Sequence, residues 1–146
     1  MKINEAPVVV EQWFDCDPGN VWDAITKPEQ MRKWFFENIP GFTPVMGFET
    51  SFDVHVENRV FPHVWRLTEV IPGKGFTIDW SYSGYPGRAM VRFELFEDEG
   101  KTRLKLINEV TEDFPDNIPE FTRESCLQGW TWFIRDSLKN YLQCGN

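Results

Sequence analysis

The spacing of hydrophobic positions divides the chain into strand-like and helix-like segments. Val8 to Phe14 is rich in β-branched and aromatic residues and predicts a strand. Five runs of alternating polarity follow at 47–56, 60–71, 75–83, 88–97 and 101–111, separated by short polar or glycine-containing stretches that suit hairpin turns. From Ile118 to Leu142 apolar residues recur at every third or fourth position, which predicts one long helix.

The segment NVWDAITKPEQMRKWF, residues 20–35, predicts two short helices rather than one. Asp17 and Pro18 supply a capping residue and a proline at a first helical turn. Apolar residues then follow at helical spacing until Pro28 ends the first helix, and a second runs from about Glu29 to Phe36.

This order of elements predicts an α+β fold. The order is a strand, two short helices, an antiparallel meander and a long helix. The strands should form a curved sheet of six to seven strands, and the long helix should lie across one face of that sheet. A chain of 146 residues is long enough to bury about two thirds of its unfolded surface, so we expect a single domain over 1–146.

Placing the hairpin turns predicts which side chains share the inner face of the sheet. The expected cross-strand pairs are Val54–His63, Phe52–Trp65, Leu67–Trp80, Trp65–Tyr82, Trp80–Val91 and Val91–Asn108. The opposite face carries polar residues, as a solvated face should: Glu49, Ser51, Asp53, Arg66, Arg92, Glu94 and Arg103.

The last helix has an apolar stripe that should lie across the aromatic sheet face. Its members are spaced three or four apart: Leu127, Trp130, Ile134, Leu138 and Tyr141. Trp132 falls off this stripe and is expected to be exposed or at a cavity mouth. Gly129 interrupts the helix, and either close approach to the sheet, a small pocket or a neutral substitution accounts for it.

Composition narrows the classes of partner. Aromatic residues make up 16% of the chain, and the formal net charge is -8. Phosphate contacts need clustered Lys and Arg, so this charge argues against nucleic acid and anionic membranes as partners. No segment is apolar for long enough to insert into a membrane.

The cysteines and the N-terminus predict a cytoplasmic location. The three cysteines, Cys16, Cys126 and Cys144, are odd in number and form no CxxC pair, which fits a reducing compartment better than a disulfide framework. The N-terminal apolar run is too short for a signal peptide.

Four stretches together resemble one protein family. The segment NVWDAITKPEQMRKWF resembles the START-like SRPBCC superfamily, and its closest branch is the homologues of the activator of heat-shock protein 90 ATPase. HVWRLTEVIPGKGFTIDW, VRFELFEDEGKTRLKL and GWTWFIRDSLKNYL are similar to that branch's next strand pair, its following hairpin and its C-terminal helix. The resemblance implies a helix-grip fold, in which a curved antiparallel sheet wraps around a long helix and leaves a cavity between them.

The chain departs from that branch at two inward positions. Trp65 stands where the branch usually has glycine, and Asn108 where it often has histidine. A large ring at the first position is expected either to line the cavity or to fill it. The activator's additional N-terminal domain has no counterpart in this sequence, so chaperone activation does not carry over from the resemblance.

His63 is the titratable residue of most interest, because the predicted register turns it inward. It is a candidate acid-base residue, and hydrogen bonding at a cavity rim is the alternative. Glu69 has the same parity and is a second titratable candidate, and exposure to solvent at the sheet margin is the alternative. Asp53, His55 and Glu57 alternate on the outer face, where polar residues are expected, and His63 lies on the opposite face. A metal site needs three or four convergent ligands, so we expect none. No dinucleotide or phosphate-loop fingerprint is present, so we expect no cofactor.

The sequence therefore predicts a protein that binds a small apolar or aromatic molecule in an internal cavity without a cofactor. A cofactor-free enzyme of the polyketide-cyclase or dehydratase kind, with His63 as acid-base residue, is the first alternative. The second is an interaction module with a chaperone or a second copy as partner, using exposed aromatics such as Trp132 or Phe36. The predicted ligand-binding residues are Phe52, His63, Trp65, Trp80, Tyr82, Phe93, Asn108 and Trp130.

Overall fold

Six antiparallel strands form one sheet in the computed structural model, which describes residues 1–144. The last two residues of the predicted 1–146 domain lie outside this range. The strands are β1 (Val8–Phe14), β2 (Glu49–Val56), β3 (Arg59–Ile71), β4 (Gly75–Tyr82), β5 (Tyr85–Asp98) and β6 (Lys101–Glu112). Their order across the sheet is β1-β6-β5-β4-β3-β2, so the first strand joins the edge of the meander beside the last. The predicted α+β helix-grip fold is confirmed.

Two short helices follow β1, as predicted. The first, α1 (Pro18–Thr26), begins where the Asp17 side chain accepts a hydrogen bond from the Asn20 backbone N–H at 2.9 Å. The second, α2 (Pro28–Trp34), begins with a proline and ends two residues earlier than predicted. The Trp34 indole N–H donates to the Ala24 carbonyl at 2.8 Å and joins the two helices.

The C-terminal helix differs from the prediction at its start and in its winding. A 3₁₀ turn (Pro119–Phe121) comes first, and α3 (Arg123–Thr131) begins after it, capped by Thr122. A π-helical segment (Trp132–Leu138) and α4 (Lys139–Tyr141) then continue without a break in the helical backbone.

Three residues of the predicted apolar stripe, Trp130, Ile134 and Leu138, are buried at a spacing of four. The π-helical segment from Trp132 to Leu138 suits this spacing, because a π-helix holds more residues per turn than an α-helix. Leu127 is 37% exposed, so its predicted place on the buried stripe is wrong. Trp132 is 55% exposed, in agreement with the expectation that it lies off the stripe.

The inner face of the sheet carries the predicted residues although three of the predicted hairpin registers are wrong. Phe52 pairs with His63, Trp65 with Trp80 and Trp80 with Ala89. Each pairing differs from the prediction by two residues, and a slip of two keeps every side chain on its own face. The predicted pairing of Val91 with Asn108 is confirmed.

A β-bulge in β3 explains one further correction. The register between β3 and β4 shifts between Leu67 and Glu69, and Glu69 is exposed while Val70 packs against the core. One extra residue reverses the parity of the strand beyond it. Glu69 is therefore on the outer face and takes no part in the interior.

Basic side chains of the C-terminal helix cover the carbonyl groups of the edge strand β1 and of the residues before it. Arg135 donates to the Glu11 carbonyl at 3.1 Å, and Lys139 donates to the Trp13 carbonyl at 3.0 Å. Arg123 donates to the carbonyl of Ala6 at 2.8 Å. These bonds fix the helix along this edge of the sheet and satisfy backbone groups that another strand would otherwise pair with.

A disulfide joins Cys16, which follows β1, to Cys144, which follows α4. The prediction of reduced cysteines is therefore wrong for this pair, and only Cys126 is a free thiol among the described residues. The two bonded residues are separated by 128 positions in sequence, so their proximity depends on the fold and is invisible to spacing rules. None of the helices in residues 1–144 has the length and apolar character needed to cross a membrane.

Candidate functional site

A pocket of about 140 Å³ lies between the inner face of the sheet and the C-terminal helix. Strands β3 to β6 supply one wall, and α3 with the π-helical segment supplies the other. The pocket is lined by Met1, Phe36, His63, Trp80, Tyr82, Ala89, Asn108, Phe114, Glu120, Cys126, Gly129, Trp130 and Phe133.

Five of the eight predicted ligand-binding residues line this pocket. They are His63, Trp80, Tyr82, Asn108 and Trp130. They meet there because the residues on β3, β4 and β6 share the inward face, and Trp130 faces them from α3, with its ring centroid 5.5 Å from that of Trp80.

The other three predicted residues lie elsewhere. Trp65 is 1% exposed, and its ring centroid lies 4.9 Å from that of Phe52, 5.0 Å from that of Trp80 and 5.5 Å from that of Phe35. These rings occupy the space beside the pocket, so Trp65 and Phe52 fill the interior of the grip rather than line its cavity. Phe93 is buried and lines a different groove.

His63 is a buried, neutral imidazole. Its Nδ1 lies 2.8 Å from the Phe61 carbonyl oxygen, so Nδ1 carries the proton and donates, and Nε2 keeps a free lone pair. Burial lowers the pKa of His63 from 6.5 to about 4, and the bond to Phe61 only partly offsets this. The ring centroids of Tyr82 and Phe36 lie 4.7 and 5.1 Å from that of His63.

The remaining polar groups of the pocket differ in whether they are already paired. The Trp130 indole N–H donates to Asn108 Oδ1 at 3.4 Å, and Asn108 Nδ2 lies 3.9 Å from Met1 Sδ. The Trp80 indole N–H is buried and has no acceptor among the described residues. An unpaired buried donor costs free energy, which makes it a natural point of attachment for a ligand.

Burial also controls the two other titratable side chains of the interior. It raises the pKa of the Tyr82 hydroxyl, and the nearby Trp80 N–H opposes this only in part, so the hydroxyl stays protonated. It raises the pKa of the Cys126 thiol to about 12, which leaves the thiol protonated and a poor nucleophile.

The end of the pocket is closed by the connection between β6 and α3. Phe114 and Phe121 from this connection form a second hydrophobic cluster with Phe61 and Ala89. Glu120, at the pocket, accepts two hydrogen bonds from the Arg59 guanidinium, at 2.7 and 2.6 Å. This ion pair ties the connection to the β2–β3 hairpin.

Sequence reasoning missed several of the lining residues. Phe36 was expected on the surface, but it packs against Phe52 and His63 because α2 ends at Trp34 and the chain then turns inward. Phe114 and Glu120 belong to an irregular connection, where no periodicity predicts direction. Ala89 lies two residues before Val91 in β5 and so shares its inward parity. This alternation was the one signal in the sequence that could have identified Ala89.

A larger groove of about 700 Å³ lies at the far ends of β3, β4 and β5. It is lined by residues of both faces and by five charged side chains, Glu69, Lys74, Arg92, Glu94 and Glu97. Of the predicted residues it contains Phe93 alone. The smaller pocket is the better candidate, because its polar groups converge inside aromatic walls.

In residues 1–144, no group of three or more His, Cys, Asp and Glu side chains converges in a way that could hold a metal ion. The described lining of the pocket contains neither lysine nor arginine, and Glu120 is its one ionised side chain at neutral pH.

Solved structures with the same fold come from several bacteria. Protein CV1439 from Chromobacterium violaceum superposes with a TM-score of 0.78 at 18% identity, over 95% of this chain and 98% of that chain. Protein MLL2253 from Mesorhizobium loti superposes with a TM-score of 0.71 at 22% identity, over 97% of this chain and 99% of that chain. A protein described as the Aha1 dimer from Colwellia psychrerythraea gives 0.73 at 18% identity, over 97% and 99%.

The sequence itself matches a family pattern over most of its length. No curated protein sequence matched the chain. The pattern of the family described as "Activator of Hsp90 ATPase homolog 1-like protein" matches residues 15–143. That range includes both short helices, the meander and the C-terminal helix. This chain therefore belongs to the family of activator of Hsp90 ATPase homolog 1-like proteins.

Proposed function

We propose that this protein binds a small apolar or aromatic molecule in the pocket between the sheet and the C-terminal helix. The observation that carries the proposal is the combination of buried aromatic walls with a few convergent polar groups in one pocket. His63, Trp80, Tyr82, Asn108 and Trp130 are the proposed contacts.

The experiment is native mass spectrometry of the freshly purified protein, compared with its mass after denaturation. A bound molecule gives an excess mass that is lost on denaturation. We expect Trp80→Ala to reduce this excess, because it removes a wall of the pocket, and Trp132→Ala to leave it unchanged, because Trp132 is exposed and outside the lining. An equal excess in both variants would contradict the proposed site. A bare mass, together with no binding of small aromatic probes, would contradict the function.

The enzymatic alternative has less support. A general base works best when its pKa is near the working pH, and burial lowers the pKa of His63 to about 4. The bond from Nδ1 to the Phe61 carbonyl instead suits a neutral ring that accepts a hydrogen bond from a ligand. Turnover that His63→Ala abolishes while binding persists would favour the enzyme.

Partner proteins and location remain predictions from the sequence. The family description and the dimeric neighbour make a chaperone or a second copy of the chain the partners to test first. Loss of such an association in Trp132→Ala, with the interior unchanged, would support an interaction surface there. We keep the cytoplasmic location as a proposal, although the Cys16–Cys144 disulfide argues against it. Disulfides persist mainly in oxidising compartments.

A further inference from the structure

Two hydrogen-bonding atoms at the pocket, Trp80 Nε1 and His63 Nε2, have no partner in residues 1–144 and are complementary, one a donor and the other an acceptor. Trp80 is 7% exposed, and its indole N–H has no acceptor among the described residues. His63 uses Nδ1 as a donor to the Phe61 carbonyl, so its Nε2 is left as an acceptor. The two ring centroids lie 5.5 Å apart, and both side chains line the same pocket.

The other amide and indole groups of the lining are already paired with each other. Asn108 accepts from the Trp130 indole N–H, and its own amide nitrogen faces Met1 Sδ. A ligand that enters the pocket therefore finds the Trp80 N–H as a donor, His63 Nε2 as an acceptor and the Tyr82 hydroxyl, which can act as either. A ligand hydroxyl satisfies Trp80 and His63 at once, whereas a carbonyl or an ether oxygen satisfies only the donor.

The size of the pocket limits the rest of the ligand. Its volume is about 140 Å³, and an apolar protein cavity of about 150 Å³ holds one benzene molecule. The walls are aromatic, with Trp130 and Phe133 from the helix facing Trp80 and Tyr82 from the sheet. These walls suit one flat ring.

The charged groups at the pocket are already paired with protein groups. Glu120 accepts from the Arg59 guanidinium, and the Met1 ammonium donates to the Phe121 carbonyl. The rest of the described lining is uncharged, so a neutral ligand enters without the large cost of removing a charge from water.

We propose that the pocket takes a neutral, single-ring aromatic molecule with one hydroxyl group, of the phenol class. The ring packs against the aromatic walls, and the hydroxyl accepts a hydrogen bond from Trp80 Nε1 while it donates one to His63 Nε2. This inference rests on the proposed function, since it names the class of ligand for the same pocket.

The test compares phenol with toluene, which has a methyl group in place of the hydroxyl. Without hydrogen-bond partners in the pocket toluene would bind more tightly, because the phenol hydroxyl would lose its bonds to water. We expect phenol to bind the full chain about tenfold more tightly than toluene, which is the effect of one net hydrogen bond at a buried site. Isothermal titration calorimetry measures both affinities.

Two tryptophan variants make the comparison specific. Trp80→Phe keeps a ring but removes the N–H, so the ratio of the phenol affinity to the toluene affinity should fall about tenfold. The smaller ring of Trp80→Phe also leaves extra space in the pocket. This space changes the affinities of phenol and toluene alike, so its effect cancels in their ratio. Trp65→Phe is the matched control, because the Trp65 N–H is also buried and unpaired but lies outside the pocket lining. Its ratio should equal that of the unmodified protein.

The outcomes separate the two proposals. If both probes bind but toluene binds at least as tightly, or if Trp80→Phe leaves the ratio unchanged, the hydroxyl site is wrong and the proposed function stands. If neither probe binds while native mass spectrometry shows a carried molecule, only the ligand class is wrong. If neither probe binds and the native mass is bare, both proposals fail.

Discussion

At the scale of single residues, His63 shows how the interior decides a property that the sequence leaves open. An exposed histidine would have a pKa near 6.5, but burial lowers that of His63 to about 4. Between these two pH values the unfolded chain binds a proton at His63 that the folded chain does not. The free energy of unfolding should therefore fall as the pH drops through this window, by up to about 3 kcal/mol.

Urea denaturation at several pH values tests this effect. In His63→Gln this part of the pH dependence should disappear. His55→Gln is the matched control, because His55 is exposed on β2, and it should keep the pH dependence of the unmodified protein. An unchanged slope in His63→Gln would show that His63 is not responsible.

Two glycines should respond in opposite ways to the same substitution. A Cβ at Gly129 in α3 would meet no heavy atom within 4 Å, so Gly129→Ala should raise the free energy of unfolding by about 0.5–1 kcal/mol through helix propensity. A Cβ at Gly87 would lie 2.3 Å from the Phe114 ring, at a backbone φ of +114°, so Gly87→Ala should be destabilising. Chemical denaturation of both variants measures the difference. Equal effects of the same sign would contradict the packing described around these two positions.

At the scale of secondary-structure elements, the predictions from sequence succeeded where a period is long and regular. All six strands and both short helices were predicted within a few residues, because alternation and proline positions are local signals. Three of the four hairpin registers failed by two residues, because a turn can move along the chain without changing which face a side chain occupies. The inner face was therefore predicted correctly from wrong pairings.

The C-terminal helix provides a test of its buried stripe. Ile134 is fully buried in the π-helical segment, so Ile134→Ala should lower the free energy of unfolding by about 2–4 kcal/mol. Leu127 is half-exposed, so Leu127→Ala should change it by no more than about 0.5 kcal/mol. Urea denaturation compares the two. A cost at Leu127 as large as that at Ile134 would contradict the exposure of Leu127 and return it to the buried stripe that the sequence predicts.

At the scale of the whole molecule, the disulfide joins the residue pair Cys16, after the first strand, and Cys144, after the last helix. Cys16 and Cys144 are 128 positions apart, so their bond restricts nearly the whole unfolded chain. Loop-closure entropy gives about 5 kcal/mol for a loop of this length, and disulfides typically contribute about 2–4 kcal/mol to the free energy of unfolding. We expect Cys144→Ser to lose this amount, and Cys126→Ser, which leaves the bond intact, to lose less.

Alkylation followed by mass spectrometry tests the pairing directly. Without a reductant, the alkylating reagent should modify one of the three cysteines of the denatured chain. After reduction it should modify all three. Three reactive thiols in the absence of a reductant would contradict the disulfide.

The sequence by itself determined the element order, the inner face of the sheet and the family, because periodicity, proline positions and motif order are local properties. It also indicated five residues of the pocket, since His63, Trp80, Tyr82 and Asn108 have inward parity and Trp130 lies on the helical stripe. The tertiary structure alone decided that Trp65 fills the interior, that Phe36 and Phe114 turn inward, and that Cys16 meets Cys144. Each of these depends on how irregular segments and distant elements pack in space, and no period along the chain encodes that.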